Sequence, residues 1–240
     1  MVPVPRDASP GRSGGWRPVV LQGADIALWP DWLSPAEAAG SLAALQAEVP
    51  WRQESVRLFG KAVPQPRLTA WFGDADAGYR YSGLALAPLP WSPRLADLRD
   101  RVEAAAGARF DSCLATLYRD GDDAIGPHAD DERELGPEPV IAALSLGETR
   151  PLVFRPRRTL RHAGLGPGDD VTTRAGAGAG AGTGTGTATT LSLPLPPGSL
   201  VVMRGRTQHA WTHAIPRTRR ACGPRVSLTF RCVTATRGAG

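Results

Sequence analysis

The sequence predicts an α+β fold in which two helices lead into a strand-rich half built as a sandwich or barrel. Three observations carry this expectation. Two stretches open on Ser-Pro and continue with helical spacing. Beyond residue 107 the pattern changes to short β-type runs. Gly- and Pro-rich turns separate those runs, in a chain with 28 Gly and 23 Pro.

The first helix is expected from "SPAEAAGSLAALQAEV", with Ser34 as N-cap, Pro35 at the first helical position and Glu37 closing a capping box. "SPRLADLRDRVEAAAG" repeats the device with Ser92 and Pro93. It places Leu95, Leu98 and Val102 on one face and stops at Gly107. The strand candidates that follow are "SCLATLY", "VIAALSL", "PLVFR", "LSLPL", "SLVVMR" and "RVSLTFR". One domain is expected over residues 17–236, with residues 1–16 unstructured and 237–240 a tail. The "AGAGAGAGTGTGTATT" run cannot bury enough apolar surface to offset its ordering entropy, so residues 161–190 read as a flexible loop between strands.

The net charge is +5 with a pI near 9.7, and Lys61 is the sole lysine among 28 basic residues. Arginine's planar fork suits phosphate, although an Arg-rich composition alone would give the same charge. Three cysteines form no C-x-x-C pair and leave an odd thiol. This argues against a disulfide scaffold or a cysteine zinc site and suits a reducing compartment. With no apolar run of membrane-spanning length and no secretory signal, a cytoplasmic location is expected, or a nuclear one in a eukaryote.

Against this basic background, "YRDGDDAIGPHADDEREL" gathers carboxylates around His128. A solvated acidic loop is the bland reading. On an extended segment, however, His128 and Asp130 share a face and could reach one ion, while Asp131 points the other way. One histidine, one carboxylate and a distant second histidine make the facial triad of non-haem Fe(II) oxygenases. The second histidine must be His162, His209 or His213, and periodicity does not choose between the last two, both in "TQHAWTHAIP". In "RVSLTFR", Val226, Leu228 and Phe230 share one face, and Arg225, Ser227, Thr229 and Arg231 the other. The polar face either meets solvent or lines a barrel lumen. In a lumen, the two arginine Cα atoms would lie about 20 Å apart, and their side chains could reach inward toward a dicarboxylate.

Six segments keep a familiar order: "PRLTAWFGD", "YRYSGLALAPLPW", "LYRDGDDAIGPHADDEREL", "IAALSLGETRPLVFR", the "LPPGSLVVMRG" to "WTHAIP" stretch, and "PRVSLTFR". On these, residues 51 to 232 resemble the AlkB family of Fe(II)- and 2-oxoglutarate-dependent nucleic-acid demethylases, in particular the homologues that act on duplex DNA. The resemblance implies a double-stranded β-helix, a jelly-roll barrel with helices packed outside. It also implies that His213 is the third iron ligand with His128 and Asp130, and that Arg225 and Arg231 hold the 2-oxoglutarate carboxylates. Tyr118 then contacts the cosubstrate. The family commonly has Asn where this chain has Thr116 and Ser227. The two hydroxyls keep a hydrogen-bonding group but lose the amide's reach, so altered 2-oxoglutarate binding is expected.

The implied reaction consumes O2 and 2-oxoglutarate and removes N-methyl groups, as formaldehyde, from bases such as 1-methyladenine or 3-methylcytosine in DNA. A base in a duplex must be flipped out to reach a buried iron. By the same resemblance, Phe59 in "RLFGK" is the candidate wedge, flanked by Arg57 and Lys61 as phosphate contacts; a phenylalanine packed over a local core is the alternative. Tyr79, Tyr81 and Ser82 fall at the base pocket, and Asp131 and Glu132 are placed to orient ligands or the base edge. The expected partner is alkylated DNA bound by a monomer, without a membrane. The other readings are an RNA demethylase of the same family, a nucleic-acid-binding module without turnover, and a small-molecule hydroxylase.

Overall fold

The computed structural model describes residues 14–157 and 189–233, apart from positions 59, 76, 78, 82, 83 and 87 and the side chains of 58, 79–81 and 84–86. Phe59, Ser82, His162, nearly all of the 161–190 loop, the N-terminal stretch save residues 14–16, and the 237–240 tail lie outside the described residues.

Strands β1 (Arg17–Val19) and β2 (Asp25–Trp29) come before helix α1 (Pro35–Glu48). Ser34 caps α1 as expected: its hydroxyl accepts from the Glu37 backbone, and the Glu37 carboxylate accepts from the Ser34 backbone. Two hairpins bracket a longer strand. They are β3 (Ser55–Leu58) with β4 (Lys61–Pro64), then β5 (Leu68–Gly73), then β6 (Tyr79–Tyr81) with β7 (Leu84–Leu86). Helix α2 (Pro93–Ala106) is capped by Ser92 and ends on Gly107 at φ 63°, a left-handed turn that glycine makes without steric cost.

The remaining strands are β8 (Ser112–Tyr118), β9 (Ile125–His128), β10 (Ile141–Gly147), β11 (Arg150–Pro156), β12 (Leu191–Leu195), β13 (Leu200–Arg204), β14 (Trp211–Ile215) and β15 (Arg225–Arg231). A one-turn helix, α3 (Thr207–Ala210), leads into β14. Seven strands form one sheet in the order β1-β2-β13-β10-β15-β8-β5, and four form a second in the order β12-β11-β14-β9. All their pairings are antiparallel. The order of elements corrects one expectation. Strands do not wait for the helices to end, because β2 and β5 join the large sheet from the N-terminal half.

Two apolar layers explain why the sequence adopts this arrangement. Leu45 of α1 and Leu95, Leu98 and Val102 of α2 pack on one face of the large sheet, against Leu144, Leu228 and Phe230. The other face meets the small sheet through residues such as Ile141, Val201, Leu152, Phe154 and Leu195. Burying these side chains contributes about 1.5–3 kcal/mol each before entropy is counted. Strand β15 serves both layers. Val226, Leu228 and Phe230 lie under the helices, while Arg225, Ser227, Thr229 and Arg231 line the interior between the sheets. Its polar face therefore lines a lumen, and the jelly-roll barrel is the observed fold.

Candidate active site

The lumen holds a pocket reached by both sheets. Thr116 and Tyr118 of β8, Arg225, Ser227 and Arg231 of β15, and His128 and His213 of the small sheet are among its walls. Sheet register puts them there. Arg225 is the Cα partner of Tyr118, and Ser227 of Thr116. His213 is the Cα partner of His128 and of Phe154 on its other side. Side chains opposite one another on adjacent strands share a face, so residues far apart in sequence converge.

His128, Asp130 and His213 each offer one ligand atom, and these atoms all lie within 4.8 Å of one another. Of the histidine candidates among the described residues, the geometry selects His213. His209 sits on α3, exposed, and its Nε2 meets the Pro137 carbonyl. The His128 Nδ1 lies 2.9 Å from the Gly126 carbonyl. That contact fits a donated proton on Nδ1, which leaves Nε2 as the free lone pair. Asp130 follows the end of β9, and its backbone N–H donates to the Gln208 side-chain oxygen at 3.0 Å. One of its carboxylate oxygens accepts from Arg231 at 2.6 Å. The other is buried without a hydrogen-bond partner, 3.7 Å from His213 Nε2.

Charge states follow from this burial. Desolvation alone would raise the Asp130 carboxyl, but Arg231, His213 and His128 outweigh it and bring it down to about 2. Burial, reinforced by His128 and only partly opposed by Asp130, pushes the His213 imidazole down to about 3. At neutral pH the set is therefore one carboxylate and a neutral buried imidazole beside His128, the protonation that a divalent metal requires. Two nitrogens and one carboxylate oxygen suit a borderline metal such as Fe(II). The orphaned carboxylate oxygen is an acceptor for which a cation is the natural partner.

Arg225 is 1% exposed and donates to the Ser145 hydroxyl at 2.9 Å, with its guanidinium carbon 5.2 Å from the centre of the Tyr118 ring. Its Nε and Nη1 have no partner among the described residues. Thr116 and Ser227 are buried beside it. This end of the lumen can take a carboxylate.

Several residues around the triad gave no signal in the sequence. Gln208 is 1% exposed and holds Asp130 from 78 positions away. Arg157 bridges Asp131 to the Gln208 carbonyl. Asp131 is thus held by Arg157 and is not among the clustered ligand atoms. Glu132 is half-buried and keeps one carboxylate oxygen without a partner. Arg57 and Lys61 are exposed at the end of the β3–β4 hairpin, where Gly60 takes φ 79°. Tyr79 and Tyr81 lie on β6. Exposed Arg217, Arg219 and Arg220, in the connection from β14 to β15, add a basic patch that was not expected from the sequence, with Arg220 also donating to the Glu148 carboxylate at 3.0 Å.

Residues 25–231 match the model of the 2OG-Fe(II) oxygenase superfamily. The chain is 35% identical over 241 residues to the human DNA oxidative demethylase ALKBH2, covering 97% of this chain and 84% of that protein. It is also 35% identical over 209 residues to the human alpha-ketoglutarate-dependent dioxygenase alkB homolog 3, covering 87% of this chain and 66% of the relative. Among solved structures, OsALKBH1 superposes with a TM-score of 0.54 at 14% identity over 86% of this chain and 97% of that one, a likeness of fold. Fold, pocket and shared sequence agree, and the chain belongs to the AlkB family of Fe(II)- and 2-oxoglutarate-dependent oxygenases.

Proposed function

We propose that this protein is a direct-reversal DNA-repair enzyme that oxidatively demethylates N-alkylated bases such as 1-methyladenine and 3-methylcytosine. The observation that carries the reading is the convergence of His128, Asp130 and His213, within 4.8 Å, on a lumen walled by buried arginines. The likeness to a DNA oxidative demethylase along 97% of the chain supports the substrate class. In this reading His128, Asp130 and His213 hold Fe(II). Arg225, with Tyr118, Thr116 and Ser227 around it, takes the far carboxylate of 2-oxoglutarate, and Arg231 serves the metal end through Asp130.

Fe(II), with 2-oxoglutarate and O2, supplies the oxidation when bound. The chain's own residues do the rest. Arg231 keeps Asp130 ionised, and the Gly126 carbonyl, by accepting the Nδ1 proton in a hydrogen bond, leaves the His128 Nε2 lone pair free for the metal. Burial of Asp130, His213, Arg225 and Arg231 between the two sheets strengthens each of these interactions. Glu132, with its unpartnered oxygen, is the acceptor for a base edge near the triad.

A base in a duplex must leave the stack to reach this lumen. The exposed cations Arg57 and Lys61 on the hairpin and Arg217, Arg219 and Arg220 on the β14–β15 connection suit the two backbones of a duplex. Phe59 is the wedge, and Tyr79, Tyr81 and Ser82 border the flipped base. The protein acts as a monomer in the cytoplasm, or the nucleus of a eukaryote. No helix among the described residues is long and apolar enough to cross a membrane.

The test is turnover of duplex DNA carrying one 1-methyladenine, with Fe(II) and 2-oxoglutarate, read as formaldehyde and succinate. Release well above that of His128→Ala is expected. Equal release from both would overturn the reading. Single-stranded DNA and RNA of the same sequence serve as comparison arms, and faster turnover on RNA would reassign the substrate.

A further inference from the structure

We propose that Arg150, which lies outside the pocket, is a positioning residue that fixes the anion-binding end of the lumen and with it the preference for a 2-oxo acid bearing a second carboxylate. The inference rests on the use of 2-oxoglutarate.

Arg150 opens β11 and is 2% exposed. Its Nη1 donates to the Asp120 carbonyl at 2.9 Å, and its Nη2 to the carbonyls of Asp123 at 3.0 Å and Pro216 at 2.6 Å. These acceptors belong to two connections, one from β8 to β9 and one from β14 to β15. The connections pack backbone to backbone. Thr218 N–H donates to the Gly121 carbonyl at 2.9 Å, and a Cβ on Gly121 would meet the Thr218 carbonyl oxygen at 2.4 Å. The four strands joined here carry Tyr118, His128, His213 and Arg225. One guanidinium thus ties together the strand ends that form the pocket.

Its charge is the second observation. The three oxygen acceptors are neutral carbonyls, and the fourth contact, from Nη1 to the Cys222 sulfur at 4.0 Å, brings no carboxylate either. Asp123 is near enough to feel Arg150, but both its oxygens are taken by Arg119. The Arg150 guanidinium carbon lies 6.0 Å from the Tyr118 ring centre, and that of Arg225 lies 5.2 Å from it. Arg150 and Arg225 therefore flank Tyr118 with no carboxylate hydrogen-bonded to either among the described residues. A buried cation without a bonded anion is costly, and a ligand carboxylate placed at Arg225 would relieve two of them. The metal end differs, because Arg231 there already has Asp130. The distal carboxylate, not the chelating end, is the group that Arg150 governs.

A residue that merely staples two loops would affect every 2-oxo acid alike. The experiment therefore compares two ligands, 2-oxoglutarate and 2-oxopentanoate, which has the same chain length but no distal carboxylate. Each is titrated calorimetrically into the full chain loaded with Mn(II). Arg150→Met is expected to reduce the preference for 2-oxoglutarate by roughly ten-fold or more, the order expected for a charge several ångströms away in a partly desolvated site. Its affinity for 2-oxopentanoate should stay within about two-fold of wild type, because no distal charge is involved. Arg150→Lys, which keeps the charge, should keep the preference. Equal weakening of both ligands in Arg150→Met, or an unchanged preference, would overturn the assignment. Should Arg150→Met fail to fold, loss of the preference in folded Arg150→Lys overturns it and retention supports it. Wild-type protein that binds no 2-oxoglutarate would remove the cosubstrate reading itself, an outcome distinct from the others.

Discussion

His128 and His213 stand opposite each other across the β9–β14 pair, their ring centres 4.3 Å apart. Eighty-five positions of chain separate them, and it is sheet register that closes the gap. A shift of one residue in that pairing would turn His213 out of the lumen. Asp130 is held to this pair from two directions, by Arg231 through the carboxylate and by Gln208 through the backbone.

The metal-free protein should lose stability as the solution is acidified below neutrality. His213 is held at about 3 against an ordinary 6.5, so between those values the unfolded chain binds more protons than the folded one. Stability then rises with pH across this window, by up to about 1.4 kcal/mol per unit for one such group. Asp130, held at about 2, contributes stability above its ordinary 3.8 that is lost only as the pH falls toward 2. Urea midpoints at pH 7, 6 and 5 check the first effect, and it should be absent in His213→Leu.

Gln208→Leu removes the acceptor for the Asp130 backbone N–H. A buried donor left unsatisfied costs about 1–3 kcal/mol, which thermal melting reads directly. Metal affinity should fall as well, by roughly ten-fold, the lower end of what such supporting residues contribute. Mn(II) titration checks that fall, and Gln208→Glu should restore part of it.

Arg225→Met should raise the 2-oxoglutarate KM at least about ten-fold, since a charge-assisted hydrogen bond contributes about 1.5–3 kcal/mol. The metal affinity of this variant should remain near wild type. A fall in both would mean that Arg225 supports the triad rather than the cosubstrate.

Replacing Arg217, Arg219 and Arg220 together with Ser should weaken duplex binding uniformly across sequences. The slope of log affinity against log salt should become shallower by up to about 2.7, roughly 0.9 for each phosphate no longer neutralised. Fluorescence anisotropy at four salt concentrations measures the slope, and turnover on a free methylated nucleoside should be unaffected.

Much of this arrangement was legible in the sequence wherever the signal was local. Ser34 and Glu37 announced the first helix, and the alternation in β15 separated Val226, Leu228 and Phe230 from the arginines of the lumen. That alternation left open whether the polar face met solvent or a lumen, because the answer depends on the opposing sheet. The H-x-D spacing supplied two candidate ligands, but only resemblance favoured His213 over His209. The structure gives the physical reason, since α3 turns His209 outward to Pro137. Strands β2 and β5 were missed because their partners lie far along the chain. Gln208, Arg157 and Arg150 were missed for the same reason, as their hydrogen bonds span 26 to 78 positions and leave no periodic trace.

The iron site is best tested by a Mn(II) titration followed by electron paramagnetic resonance, with wild type beside Asp130→Ala and His213→Ala. Wild type should show one tight site, and each variant a loss of affinity of about 100-fold or more, with melting showing that all three proteins are folded. Equal affinity in the three proteins, or no binding to wild type, would refute the proposed ligand set.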